Sequence, residues 1–300
     1  MKRLLTVLTG YALLATNFAL ADPTPDSTPE PNETATAANS DEPEQEPLWE
    51  LNLAAYGRYG PAYPASKETQ VNIIPAPFPI YRGKFLRVGD DTNKPITTRI
   101  FRRDRIKLDF DFGLNFPVDS EEIDARTGMP DLDLLAEIGP ELELEFVRGP
   151  KVGNAFLALQ MRGAFSMDGL RPEWRGLIFS SEVRYNRQLF SEANELSVRV
   201  TPEWAGNQYM DFFYGVAPEF ATADRDAFEA KGGYLGTKTV FTLRHDFSEE
   251  FSIRTGVRFG FYQGARNRDS ALFTANTTSE IYLAFLWKFW ESKELIADDP

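Results

Sequence analysis

The stretch Arg105-Ile106-Lys107-Leu108-Asp109-Phe110-Asp111-Phe112-Gly113-Leu114-Asn115-Phe116 divides almost perfectly by parity. Its even positions, Ile106, Leu108, Phe110, Phe112, Leu114 and Phe116, are apolar, while Lys107, Asp109, Asp111, Gly113 and Asn115 are polar or small. A β-strand sends successive side chains to opposite faces, so this segment is a strand with one greasy face and one wet face. Phe251–Tyr262 repeats the pattern: Phe251, Ile253, Val257, Phe259 and Phe261 stand against Ser252, Arg254, Gly256, Arg258 and Gly260.

A soluble sandwich would turn the apolar face inward, whereas an outer-membrane barrel turns it to lipid and keeps the polar face in its lumen. Three features select the barrel. The alternating segments run about ten residues or more, the length a tilted strand needs to cross a bilayer. Their polar faces are rich in charge and glycine. Aromatic residues gather at segment ends, at Trp49, Tyr81, Trp174, Trp204, Trp287 and Trp290, where interfacial girdles sit.

The expected fold is therefore all-β, an antiparallel transmembrane barrel of about 12 strands. They are expected near 49–58, 70–81, 84–89, 96–102, 105–116, 134–147, 154–166, 174–188, 194–204, 232–247, 250–262 and 279–290. The connections at 82–83, 103–104, 148–153, 189–193 and 248–249 are short and share one side, expected to be periplasmic. Those at 59–69, 117–133, 205–231 and 263–278 are long and fall on the extracellular side. The short third strand, with prolines nearby, is the element on which a count of twelve rather than ten depends.

The ends fix the expected compartment. Lys2 and Arg3 precede an apolar run from Leu4 to Leu20, and Ala19-Leu20-Ala21 offers the small residues of a cleavage site. Residues 1–21 read as a signal peptide cleaved after Ala21. No cysteine lies near the site, which argues against a lipoprotein, and none occurs in the chain, which removes disulfides, zinc-thiolate sites and thiol catalysis. Residues 22–47 carry eight acidic residues and no basic one, with almost nothing apolar. Such a segment cannot bury enough surface to offset its ordering entropy, so it reads as a disordered periplasmic leader. The barrel is expected over 48–290, with 291–300 as a charged periplasmic tail. Of the net charge of −13, the signal contributes +2 and the leader −8, leaving −7 for residues 48–300. An acidic chain without clustered Lys and Arg makes a poor nucleic-acid partner. No second apolar run reaches helix-spanning length, which excludes a helical membrane protein.

Several separated blocks resemble the MipA/OmpV family. They are Tyr63-Pro64-Ala65-Ser66, Pro75-Ala76-Pro77 and Tyr81-Arg82-Gly83-Lys84-Phe85-Leu86, then Trp204-Ala205-Gly206-Asn207-Gln208-Tyr209-Met210, Tyr214-Gly215-Val216 and Gly232-Gly233. With the last three strands, the likeness covers most of 49–290. It implies an outer-membrane scaffold that links a murein lytic transglycosylase to a bifunctional penicillin-binding murein synthase, other members being associated with porin-like or adhesive behaviour. Two departures stand out: Ala65 occupies a position where the family has glycine, and the last strand is followed by Glu291–Pro300 rather than ending the chain.

Chemistry of catalytic type is hard to assemble. A serine nucleophile ordinarily needs a histidine base, and His245 is the single histidine. Parity with Phe241 and Leu243 turns it outward, near the periplasmic rim, so it reads as an interfacial residue. Nothing pairs with it to hold a metal, there is no Gly-rich phosphate loop, and no cofactor or enzymatic activity is expected. Gly139, Gly163 and Gly256 are isolated, as glycines that relieve crowding or aid bending are. The expected lumen face does carry candidate functional charges: Asp109, Asp111, Glu141, Glu143 and Glu145 on the fifth and sixth strands, and Arg184, Arg199, Lys238, Arg244, Arg254 and Arg258 on later ones. Acid would line one wall and base the other. Two outcomes follow: a field across a narrow aqueous pore that selects zwitterions or small polar solutes, or pairs that plug a small barrel.

Overall fold

The alternating segments are strands in the computed structural model, which describes residues 45–82, 86–91, 94–98, 101–149, 152–169 and 171–297. The signal peptide, its cleavage after Ala21 and the leader through residue 44 lie outside the described residues. In chain order the strands are β1 (Gln45–Pro47), β2 (Trp49–Pro61), β3 (Thr69–Arg82), β4 (Leu86–Asp91), β5 (Lys94–Thr98), β6 (Phe101–Arg103), β7 (Ile106–Asn115) and β8 (Leu134–Val147). They continue with β9 (Asn154–Asp168), β10 (Arg171–Leu189), β11 (Ser191–Ala205), β12 (Gly233–Asp246), β13 (Phe251–Phe261), β14 (Thr277–Glu291) and β15 (Leu295–Ala297). One α-helix, α1 (Asn207–Tyr214), lies in the connection between β11 and β12.

The large sheet runs β5-β4-β3-β2-β14-β13-β12-β11-β10-β9-β8-β7-β6, every pairing antiparallel. The last strand pairs with the first of the sheet through Ile281↔Tyr59 to Glu291↔Glu50, so the order wraps around. The two ends of the order, β5 and β6, follow one another in the chain, and β5 runs beside β7. Together they act as one interrupted strand, and the sheet becomes a barrel of twelve strands. The crossing expected at 96–102 is thus split in two, with β5 paired to β4 and β6 paired to β7.

Burial is inverted relative to a soluble protein. On β7, Asp109 and Asp111 are each 8% exposed, while Leu114 is 54% exposed. The same holds around the wall: Glu141, Gln160, Ser180 and Glu182 are buried, whereas Ile138, Met161, Phe179 and Val183 are exposed. Only a lipid-facing exterior makes that arrangement favourable, since apolar surface left in water costs about 25 cal/mol per Å². Aromatics mark both rims of the band. Trp49 packs on Tyr81 at 4.3 Å near the short-turn end, where Trp287 and Trp290 also lie. Trp204 packs on Tyr234 at 5.6 Å near the other, where Trp174 meets Phe165 at 5.1 Å. Among the described residues, no helix is long and apolar enough to cross a membrane.

Glycines sit where strands crowd. A Cβ on Gly139 would lie 1.9 Å from the Met161 carbonyl oxygen of β9, and one on Gly256 would lie 2.5 Å from that of Phe241. At the short-turn end, β1 pairs with β15 through Gln45↔Ala297 to Pro47↔Leu295. The ladder joins the last residues of the leader segment to the C-terminal tail.

Candidate functional site: a charged lumen beneath a folded lid

The long connections fold over the mouth and carry the molecule's one apolar core among the described residues. It comprises Tyr63, Val118, Ile123, Leu132, Val216 and Leu272 from the loops, Tyr209, Met210, Phe213 and Tyr214 from α1, and Leu135, Ala164, Ile178 and Leu235 from the inner strand ends. In α1 the buried side chains recur at 209, 210, 213 and 214, a helical stripe facing the barrel. Polar ties lock this lid. The Tyr63 hydroxyl donates to the Leu272 carbonyl (2.8 Å), that of Tyr214 to the Pro64 carbonyl (3.0 Å), and Ser270 Oγ to the Tyr214 carbonyl (2.7 Å). Burial pushes the Tyr63 hydroxyl up to about 12 and raises those of Tyr209 and Tyr214 well above the usual phenol range. Ala65, with φ of 59°, occupies the left-handed region where glycine is easiest, and its carbonyl accepts from the amides of Thr274 and Ala275.

Directly beneath the lid, Tyr209 Oη donates to Glu137 Oε1 at 2.8 Å. Glu137 belongs to a buried cluster around Arg162 of β9. Arg162 Nη1 lies 2.7 Å from Asp111 Oδ2, its Nε 3.1 Å from Glu137 Oε2, and its Nη2 3.8 Å from Glu203 Oε1. One guanidinium therefore ties together β7, β8 and β11, and Glu203 also takes Lys238 Nζ at 2.8 Å. Lower in the lumen, Arg184 pairs with Glu182 (2.9 Å) and Glu143 (3.4 Å), and Lys107 reaches Glu143 at 3.3 Å. Gln160 Nε2 donates to Glu141 Oε2 at 2.6 Å and accepts from Ser180.

All eleven charges selected from the sequence stand on interior faces. Asp109 is opposite Glu141 in register, Glu145 pairs with Arg148, Arg199 is opposite Arg184, and Arg254 is opposite Arg244, which itself pairs with Asp246 at 2.7 Å. The division into an acid wall and a basic wall is partial, because Lys107 and Arg162 sit among the acids and Glu182, Glu203 and Glu280 among the bases. The last three, with Arg162, Glu137 and Arg58, are interior residues the sequence reading passed over. The same parity would have found them, since each lies an even step from neighbouring small or polar positions on its strand. His245 faces outward and its Nδ1 lies 2.8 Å from Asn194 Oδ1. Among the described residues no cluster could hold a metal ion.

The side of the barrel formed by β2, β3, β13 and β14 is less filled. It holds a cavity of about 600 Å³. Its charged lining is Arg58, Lys238, Arg254 and Arg258 with Glu280, and its apolar lining includes Tyr56, Ile74, Phe78, Phe116 and Leu286. Arg58 Nη1 and Arg258 Nη1 each lie 2.7 Å from a different oxygen of Glu280, Arg58 Nε donates to Asn72 Oδ1 at 2.9 Å, and the Arg58 guanidinium lies 4.9 Å from the Phe116 ring centre.

Compared with known proteins, residues 53–289 match the family model of MltA-interacting protein MipA. A search of curated proteins gives no significant match. Among solved structures, the COG4313 outer membrane channel from Pseudomonas putida F1 is similar at 9% identity and a TM-score of 0.44, covering 83% of this chain and 98% of its own. OmpT of Vibrio cholerae gives 7% and 0.36, covering 80% and 97%. The Pseudomonas putida toluene transporter TodX gives 8% and 0.30, covering 80% and 88%.

Proposed function

Because the chain belongs to the MipA family, we propose that this outer-membrane barrel is a non-enzymatic scaffold, holding a murein lytic transglycosylase beside a penicillin-binding murein synthase at its periplasmic side. The family's name points to the first partner class, and the resemblance carried by the residue blocks implies the second. The observation that carries the reading is the contrast between the two ends. The mouth is capped by a lid with its own core, and one side of the lumen beneath it is filled by ion pairs. The short-turn end instead presents a β1–β15 ladder and the exposed rings of Phe190 and Phe247. Exposed aromatics on a tight, paired rim are the kind of anchor an interface buries.

The test is a crosslinked pull-down of the tagged full chain from native envelopes, identified by mass spectrometry. Recovery of both enzymes, lost when Phe190 and Phe247 are replaced by Ser, is the expected result. Their absence while the barrel is efficiently recovered would overturn it. The 600 Å³ cavity favours a second reading, a narrow channel for small polar solutes. Bilayer recordings of the purified chain decide that one, and silence at every voltage ends it.

A further inference from the structure

We propose that the cavity is a binding site for a single-chain amphiphile with an anionic head, which enters sideways from the outer leaflet through a gap in the barrel wall beside β3.

The gap follows from strand lengths. β3 has 14 residues, β4 six and β5 five. The β3–β4 pairing consists of Tyr81↔Val88 and Arg82↔Arg87. In that register Asp91, the end of β4, reaches the level of Phe78. Thr69–Pro77 then have no strand on that edge among the described residues, about 30 Å of strand at ~3.3 Å per residue. At the top of the gap Gln70 Nε2 reaches the Pro117 carbonyl at 3.4 Å. An open edge inside a bilayer is ordinarily excluded, because its amides have no partner in hydrocarbon. This edge is suited to one. The β2–β3 ladder is continuous from Trp49↔Tyr81 to Pro61↔Thr69, although Pro75, Pro77 and Pro79 have no N–H to give it. Alternate residues direct their amides to the same edge, so the nitrogens of Pro75 and Pro77 face the gap, that of Pro79 lies beside β4, and the donors of Ile74, Ala76 and Phe78 serve β2. Of the five residues whose amides face the gap, Thr69, Val71, Ile73, Pro75 and Pro77, two thus lack the donor that would demand, or recruit, another strand.

The cavity meets this gap. Ile74 and Phe78 line it from β3, and Leu114 and Phe116 from the far side. Leu114 lies on the lipid-facing parity of β7 and yet lines the same space, so that space reaches the outer surface there. Inside, Glu280 holds Arg58 and Arg258 at 2.7 Å each, one carboxylate between two guanidiniums. Guanidinium forks match a carboxylate or phosphate, and the excess positive charge stands at the inner end of an apolar lining. Head and tail of an amphiphile are thereby addressed by separate walls. The volume is in the range of sites that enclose a small molecule.

The test uses the full chain in nanodiscs with two photoreactive probes, a long-chain fatty acid and a lysophosphatidic acid of equal chain length, plus the matching fatty alcohol. Both acids are expected to bind, at least tenfold more tightly than the alcohol, and to label Ile74, Phe78, Leu114 or Phe116. The tighter of the two acids names the head. The triple variant R58Q/R258Q/E280Q, which leaves no unpaired charge, is expected to weaken both at least tenfold while retaining the heat-dependent gel mobility of a folded barrel. Equal binding of the alcohol, or unchanged binding by the triple variant, overturns the anionic head. Displacement of the probes by inorganic phosphate at equal concentration overturns the amphiphile in favour of a plain anion site. Labels confined to the lid residues overturn the sideways route.

Discussion

Arg162 is the residue on which the interior depends most, because three carboxylates from three other strands converge on it within 4 Å. Breaking a buried pair from one side leaves uncompensated charge and typically costs about 3–5 kcal/mol. Arg162→Met is expected to lower the stability of the folded barrel by that order in equilibrium urea unfolding, and adding Asp111→Asn and Glu137→Gln should recover part of it. An unchanged midpoint would mean the cluster is wet enough to screen itself. The lid tyrosines set a pH dependence. Tyr63 loses its proton near 10 when unfolded and near 12 when folded, so between those values the unfolded state binds fewer protons. The lid's stability is then fully present below about pH 10 and is lost as pH rises toward 12, and Tyr209 and Tyr214 act in the same direction. Phenolate absorbance should develop late, together with faster proteolysis of the long connections; ordinary titration near pH 10 with an intact lid would refute this. At this scale the sequence was legible by parity alone. Interior charge at Asp111 or Arg258 could be read directly, but the convergence on Arg162 depends on register between strands, which no single strand encodes. Ala65 was visible as a departure from glycine, and the reason it matters, a positive φ, was visible only in the turn.

Elements were legible where alternation was long. β7 and β13 could be placed within a residue or two, because ten or more alternating positions leave no other period to fit. The stretch 84–103 was less so: proline, charge and short runs give no sustained period, and the structure breaks it into β4, β5 and β6. α1 was read as loop, since eight residues are too few for a convincing period and its stripe is aromatic rather than aliphatic. That helix is the keystone of the lid, touching β10 across the mouth and Glu137 through Tyr209. Replacing Asn207–Tyr214 by a Gly/Ser segment of equal length is expected to leave the barrel folded, because no strand pairing runs through the helix. It should raise any conductance in planar bilayers above that of the parent chain. Equal conductance would place the barrier lower, at the Arg162 and Arg184 clusters. Gly139→Ala should act on assembly rather than on the lid. The added methyl meets a main-chain oxygen at 1.9 Å, so β8 and β9 must part, and the yield of heat-modifiable barrel should fall sharply.

For the molecule as a whole, the inversion of burial dictates a membrane-spanning fold, and the distribution of its connections sets the expected direction. Tight turns such as 247–250 gather at one rim, as the periplasmic turns of outer-membrane barrels do, and the lidded connections gather at the other. On the lidded side, β9 and β10 are joined by a connection as short as any inner turn, so loop length alone does not orient the barrel and the side is a matter for measurement. The absence of cysteine makes the measurement clean. Ala223→Cys lies at an exposed turn of the lid, and Glu249→Cys at an exposed turn of the opposite rim. A membrane-impermeant maleimide added to intact cells is expected to label the first and spare the second, with the second becoming reactive once the outer membrane is permeabilised. The reverse pattern would turn the barrel over, place the β1–β15 ladder outside the cell, and remove the periplasmic face on which the scaffold reading depends. Equal labelling of both in intact cells would mean that the reagent passes the outer membrane, which a reactive cysteine in a known periplasmic protein of the same cells would reveal. The orientation therefore decides whether the wall gap beside β3 opens toward the outer leaflet, where an amphiphile from outside the cell would first arrive.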